Sequence, residues 1–167
     1  MNKEIIYAFI DGQNLYESLN RKGVVFSYEK LRGYLRKRFR VARAVIYFGD
    51  VHNSTCRKAR RAGFIVRKKK GVLQVNRDGT VSRKANIDID LVVGVLSEYR
   101  KKYTKAVIVS GDGDFISLVE DLKKKDQLSK VIAPSRDNCS FEFDGEWAEE
   151  FVTFLDDPEE KTELLLQ

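Results

Sequence analysis

The sequence predicts a single α/β domain built on a central, mostly parallel sheet. Short apolar runs of strand length recur, at Ile5 to Ile10, Val41 to Phe48 and Lys105 to Val109. Each run ends in a glycine beside an aspartate: Asp11-Gly12, Gly49-Asp50 and Gly111-Asp112. Helical spacing of apolar residues resumes after each of these turns. Such runs read as buried strands, and strands alternating with helices read as a parallel sheet.

The elements follow in order. After Asp11-Gly12, Asn14 lies in the turn or first helical turn, and Leu15 and Leu19 carry a helix. Ser27 is placed as an N-cap, and Tyr28, Leu31, Tyr34, Leu35 and Phe39 form the apolar stripe of the next helix. Residues 55–62 form a short basic helix closed by Gly63, and Phe64 to Val66 start a strand. Val72 to Val75 and Thr80 to Ser82 flank Asn76-Arg77-Asp78-Gly79, a hairpin turn signal. Ile87, Leu91, Val95 and Tyr99 predict a buried helical stripe, widened by Val92 and Leu96. Phe115, Ile116, Leu118, Val119 and Leu122 predict another helix, and Lys130 to Ala133 a last parallel strand stopped by Pro134. Residues 139–155, rich in aromatics, read as a short strand and a helix closing over the sheet. The domain is expected to span 1–155, with 156–167 a flexible tail.

At 167 residues with 43% hydrophobic composition, the chain can bury one core, and global disorder is excluded. No apolar run approaches the ~20 residues of a membrane span. The N-terminal run lacks the longer apolar region and cleavage site of a signal peptide. Cys56 and Cys139 have no metal-ligand spacing and are expected to be reduced, so a cytoplasmic location is expected. His52, the only histidine, reads as an ordinary loop residue, which leaves no basis for a Ser/His or Cys/His nucleophile.

The net charge of +6 is unevenly spread. Residues 57–84 hold eleven Lys/Arg against Asp78, a balance of +10, and residues 21–43 hold nine against Glu29, a balance of +8. Residues 110–163 hold sixteen acids and six bases, a balance of −10. Basic segments of this density suit a polyanion, and the usual soluble polyanion is nucleic acid; they also suit solvated helix faces. Arg57, Lys58, Arg60, Arg61, Arg67, Lys68, Lys69, Lys70 and Lys84 are the candidate nucleic-acid contacts. The basic and acidic segments could also pair between chains, in a homodimer or with a protein partner.

Asp11, Asp88, Asp112 and Asp114 fall at the same end of the expected sheet, where open α/β sheets bind their ligands. Singly, each suits a helix cap or the helix dipole, as does Asp90. Together, converging carboxylates repel one another and are tolerated chiefly beside a cation. Oxygen donors without His or Cys suit Mg²⁺ or Mn²⁺, which can drive phosphodiester hydrolysis. Asp50 depends on strand order and carries little weight.

FIDGQNLY (9–16), KANIDIDL (84–91) and VSGDGDFISLVE (109–120) resemble, in order, the three signature blocks of the NYN domain family, in its LabA-like branch. The resemblance runs from about Ile5 to Phe154. It implies a three-layer α/β/α PIN-like fold and an Mg²⁺- or Mn²⁺-dependent ribonuclease. Asp11, Asp88, Asp112 and Asp114 match the family's acidic metal positions, and Asn14 the asparagine beside them. Ala85 stands where the pattern usually has Gly, and Ser117 replaces a common Pro. Gly94 stands where relatives often carry another Asp, which puts a second metal in doubt. The expected function is RNA hydrolysis; the alternative is a catalytically weak RNA-binding or regulatory module that keeps the fold. A phosphatase using Asp11 as nucleophile ranks last, because Asp11 lacks the second Asp two residues on.

Overall fold

The structure is a computed structural model and describes residues 4–23, 27–143 and 145–165, with the backbone alone for 82–84 and 162–165. Its centre is β1 (Ile6–Asp11), buried along its whole length. β1 pairs in parallel with β2 (Val41–Phe48) on one side, Asp11 opposite Tyr47, and with β6 (Lys105–Val109) on the other, Ile10 opposite Val109. The sheet order is β3-β2-β1-β6-β7-β8, with β3 at Ile65–Lys68, β7 at Leu128–Ala133 and β8 at Val152–Phe154. All five pairings are parallel, as expected.

Alternating side chains of the strands feed two cores, which is why these strands read as unbroken apolar runs. Ile6, Ala8 and Ile10 join α1 (Gly12–Arg21), α2 (Tyr28–Phe39) and α3 (Asn53–Arg61) on one face through Leu15, Leu31, Leu35 and Ala59. Tyr7 and Phe9 join α4 (Asp88–Val93) and α5 (Ile116–Lys124) on the other through Ile87, Leu91, Val119 and Leu122. Ser27 caps α2 as expected, its hydroxyl accepting from Lys30 N at 3.1 Å. His52 does more than occupy a loop: its Nδ1 accepts from Ser54 N at 3.2 Å and caps α3.

The expected hairpin is present as β4 (Val72–Val75) against β5 (Val81–Lys84), a two-stranded sheet apart from the main one. α4 runs into a π turn, Gly94–Glu98, in which Tyr99 N donates to Gly94 O at 3.0 Å. The wider turn keeps both Val95 and Tyr99 inward and leaves Leu96, expected in the stripe, 40% exposed. The strand beside β7 is β8, which follows α6 (Glu146–Phe151) rather than preceding it. Beyond Leu155, where the sequence predicts a flexible tail, Pro158–Leu165 forms α7. Glu160 of α7 is buried and accepts from the Tyr34 hydroxyl at 2.5 Å, with Arg38 at 3.4 Å. Among the described residues, no helix is long and apolar enough to cross a membrane.

Candidate functional site

β1 and β6 are neighbours, yet the chain leaves β1 into the helices of one face and leaves β6 into those of the other. The crevice between their carboxyl ends is the topological switch point, where open α/β sheets bind ligands. Asp11 ends β1 there, and the loop Ser110 to Asp114 leaves β6 beside it.

Asp11 is fixed by its own helix. Its Oδ1 accepts from the backbone N–H of Gln13 at 3.1 Å and of Asn14 at 2.9 Å, so it is the N-cap of α1. Its Oδ2 faces the Ser110 hydroxyl at 3.5 Å. The close packing behind it requires Gly12, where a Cβ would lie 2.5 Å from the Phe48 ring and 2.6 Å from Tyr47 O. Asn14 Oδ1 accepts from Gly111 N at 3.0 Å, which ties α1 to the loop after β6. Ser110, fully buried, accepts from Asp112 N at 3.1 Å, and Asp112 Oδ1 accepts from Asp114 N at 3.0 Å. Asn86 Oδ1 accepts from Asp88 N at 3.0 Å and sets the start of α4.

The result is an open cleft of about 290 Å³ whose lining includes Asp11, Asn14, Asp88, Asp112 and Asp114. All five residues expected at the site are therefore brought together. Asp11 is 4% exposed, Asp88 and Asp112 are half-buried, and Asp114 is exposed. Burial, then the negative charges of Asp88 and Asp112, push the Asp11 carboxyl up from 3.8 to about 6, against the lowering effect of its two backbone donors. As positioned, no group of three or more His, Cys, Asp and Glu among the described residues is arranged to hold a metal ion.

Sequence reasoning missed Ser110, Asn86 and Glu17. Ser110 stands in no sequence pattern, and its hydroxyl's position between Asp11 and Asp112 follows from β1–β6 register. Glu17 also lines the cleft and accepts from Gln13 Nε2 at 2.9 Å. Asp50 stands outside the acidic cleft, in a neighbouring groove of about 540 Å³. That groove shares Gln13, Glu17 and Ala85 with the cleft and reaches Thr55 of α3; a further hollow shares Tyr16, Tyr28 and Thr55 and reaches Lys58.

The candidate basic residues divide into two groups. Arg57, Lys58, Arg60 and Arg61 are exposed on α3, and Lys70 is exposed after β3. Arg67 pairs with Glu98 and donates to the Tyr99 hydroxyl at 2.7 Å, Lys68 donates to Asn53 Oδ1 at 3.0 Å, and Lys69 pairs with Asp90 at 2.8 Å. The side chain of Lys84 lies outside the described part of the structure.

A family model described as the NYN domain matches residues 6–142. The low amplitude and bright protein LabA of Synechococcus elongatus is 28% identical over 133 residues, covering 75% of this chain and 71% of its own. A crystal structure of a protein of unknown function from Vibrio parahaemolyticus superposes with a TM-score of 0.70 at 25% identity, over 93% of this chain and 94% of that one.

Proposed function

This chain belongs to the NYN domain family, and we propose that it is a ribonuclease that hydrolyses RNA phosphodiester bonds with Mg²⁺ or Mn²⁺ at Asp11, Asp88, Asp112 and Asp114. The observation that carries the proposal is the state of Asp11. A carboxyl that is 4% exposed, held at the switch point and pushed up to about 6 beside two further aspartates, is electrostatically costly without a counter-charge. The donors are carboxylate oxygens, with Asn14 and Ser110 beside them, and among the described residues no His or Cys lines the cleft. Such a set fits a hard cation. A bound cation supplies a Lewis acid for the phosphodiester and lowers the pKa of a coordinated water.

The residues' own work is positioning. The two backbone donors hold Asp11 Oδ1, which leaves Oδ2 turned to the cleft and Ser110. Asn14 locks the loop that carries Asp112 and Asp114 to α1. The groove from the cleft to Lys58 gives an RNA strand a path toward exposed cations that offsets the repulsion of the acids.

The test is incubation of labelled single-stranded and structured RNA with Mn²⁺, Mg²⁺ or EDTA, beside Asp112→Asn. Metal-dependent cleavage by the wild type, lost in the folded variant, is the expected result. Cleavage unchanged in the variant overturns it.

A second reading, an RNA-binding regulatory module of low activity, is favoured by one observation. The Tyr47 hydroxyl occupies the side-chain space of Gly94, the position at which the resemblance would place a further Asp. Salt-sensitive RNA binding without cleavage under any metal condition decides for that reading.

A further inference from the structure

The carboxyl edge of the sheet runs in the order β2, β1, β6, β7, and the acidic cleft lies at its middle, between β1 and β6. A hollow flanks the cleft on each side. Toward β2 lies the groove of about 540 Å³, which shares Gln13, Glu17 and Ala85 with the cleft. Toward β7 and β8 lies a hollow of about 860 Å³, whose lining includes Arg136, Ser140, Phe141 and Phe154.

Each hollow holds one bare aromatic ring. Among the described residues only two aromatic side chains are exposed, Tyr16 at 56% in the groove and Phe141 at 83% in the second hollow. Other rings beside them are engaged: Tyr28 packs edge-on against Phe48 and Phe64, and the Arg136 guanidinium covers Phe154 at 4.1 Å. Both bare rings stand on elements that also carry the site. Tyr16 follows Asn14 by two residues on α1, the helix that Asp11 caps. Phe141 opens a 3-10 turn, Phe141–Phe143, and Ser140 before it donates its N–H to Gly111 O at 2.8 Å. Gly113 admits this turn, since a Cβ there would lie 2.5 Å from Ser140 Oγ.

A single exposed ring is ordinary on a protein surface. Two that bracket one acidic cleft have an electrostatic reason. Glu17, Asp88, Asp112 and Asp114 repel a phosphate chain, and among the described residues no Lys or Arg lines the cleft or the groove. Lys58 is reached only through the hollow beyond, and Arg136 on the other side is paired with Asp157. Close to the cleft a strand must therefore be held by uncharged contacts. Stacking of bases on aromatic faces is such a contact, and it accepts any base.

We propose that Tyr16 and Phe141 stack the bases of the two nucleotides that flank the phosphate in the acidic cleft, one ring on each side. The assignment rests on the reading of RNA as the substrate. It makes the two rings positioning residues, which hold the strand across the acids without touching the reacting atoms.

The test measures binding of a short labelled single-stranded RNA to the full chain in EDTA by fluorescence anisotropy, so that cleavage plays no part. Tyr16→Ala and Phe141→Ala are each expected to weaken binding on the order of tenfold while circular dichroism stays unchanged. Tyr16→Phe and Phe141→Tyr keep a ring and are expected to bind as the wild type does. Unchanged binding in either alanine variant overturns the assignment, as does a loss that the ring-keeping variants share. Self-association in sedimentation that the alanine variants abolish while RNA binding persists assigns the rings to a second copy of the chain, and also overturns it. Cleavage with Mn²⁺ is measured separately. Wild-type kcat and KM in both alanine variants overturn the stacking and leave the nuclease reading intact, whereas ring-dependent binding without cleavage does the reverse.

Discussion

The hydroxyl of Tyr47 fills the space that a side chain on Gly94 would need. Tyr47 comes from the end of β2 and Gly94 opens the π turn after α4, so the contact sets how closely α4 approaches the sheet. A Cβ at position 94 would collide with the hydroxyl and lie 3.0 Å from Cζ. A glycine inside a helix costs about 1 kcal/mol relative to alanine, and here that cost is offset by the tyrosine it admits.

Gly94→Ala is therefore expected to destabilise the fold despite its better helix propensity, by about 1–3 kcal/mol for the overpacking. Tyr47→Phe removes the colliding oxygen, so the double variant should recover part of the loss. Urea unfolding of all four species of the cycle gives the coupling between the two sites. A coupling near zero would mean that the hydroxyl is not over Gly94.

Asp11 predicts a pH dependence in metal-free buffer. Its carboxyl is raised from 3.8 to about 6 in the folded chain, so folding takes up a proton between those values. Its contribution is most favourable below about pH 4, declines as pH rises through about 6 and is constant above. At 1.36 kcal/mol per unit the whole shift is on the order of 3 kcal/mol. Asp11→Asn keeps an oxygen for Gln13 and Asn14 and removes the charge. Its stability gain over the wild type should be small at pH 4 and grow to that order at pH 7.5. A gain independent of pH would sink the argument.

Much of this site is legible in the sequence. Strand-end acids followed by helices place Asp11 and Asp112 at one edge of a parallel sheet, because strand direction alone decides which edge they occupy. Asp88 was legible because Ile87 had to face the core, which turns its neighbour to the margin. The Tyr47–Gly94 contact was not legible, since it joins residues far apart in sequence and depends on how β2 and α4 pack. Ser110 hid for a similar reason: one serine has no periodicity, and its contact with Asp11 exists only in the register that sets Ile10 against Val109. Arg67 and Lys69 read as nucleic-acid contacts because their partners lie far along the chain, Asp90 in α4 and Glu98 in the π turn after it, and only the packing of α4 beside β3 brings them together.

α7 gives a test of where the folded unit ends. Glu160 is 9% exposed and accepts from the Tyr34 hydroxyl, while Asp156 accepts from Arg136 N at 3.1 Å and Asp157 from Arg136 Nε at 3.0 Å. Deleting residues 158–167 should lower stability by about 1–3 kcal/mol, the cost of removing one partner from a buried hydrogen bond to a charged group. Glu160→Ala should reproduce much of that loss. A tail without structural connection would leave the unfolding midpoint unchanged in both.

The groove over α1 predicts which cations hold RNA. Arg57 and Lys58 are exposed on α3, and Lys58 lines the hollow that continues the groove away from the acidic cleft. Arg67 and Lys69 already face acids, so an incoming phosphate would have to displace Glu98 or Asp90 to use them. Exposed cations release counterions when they bind phosphates, and for single strands each contact contributes about 0.7 to the slope of log K against log salt. Arg57→Glu with Lys58→Glu should therefore weaken RNA binding and flatten that slope by about 1.4, provided both contact phosphates. Charge reversal at Arg67 should instead cost stability, because Glu98 loses its partner and Tyr99 its donor. Fluorescence anisotropy across a salt series separates the two groups. A slope unchanged by the α3 pair would place the RNA path elsewhere on the molecule.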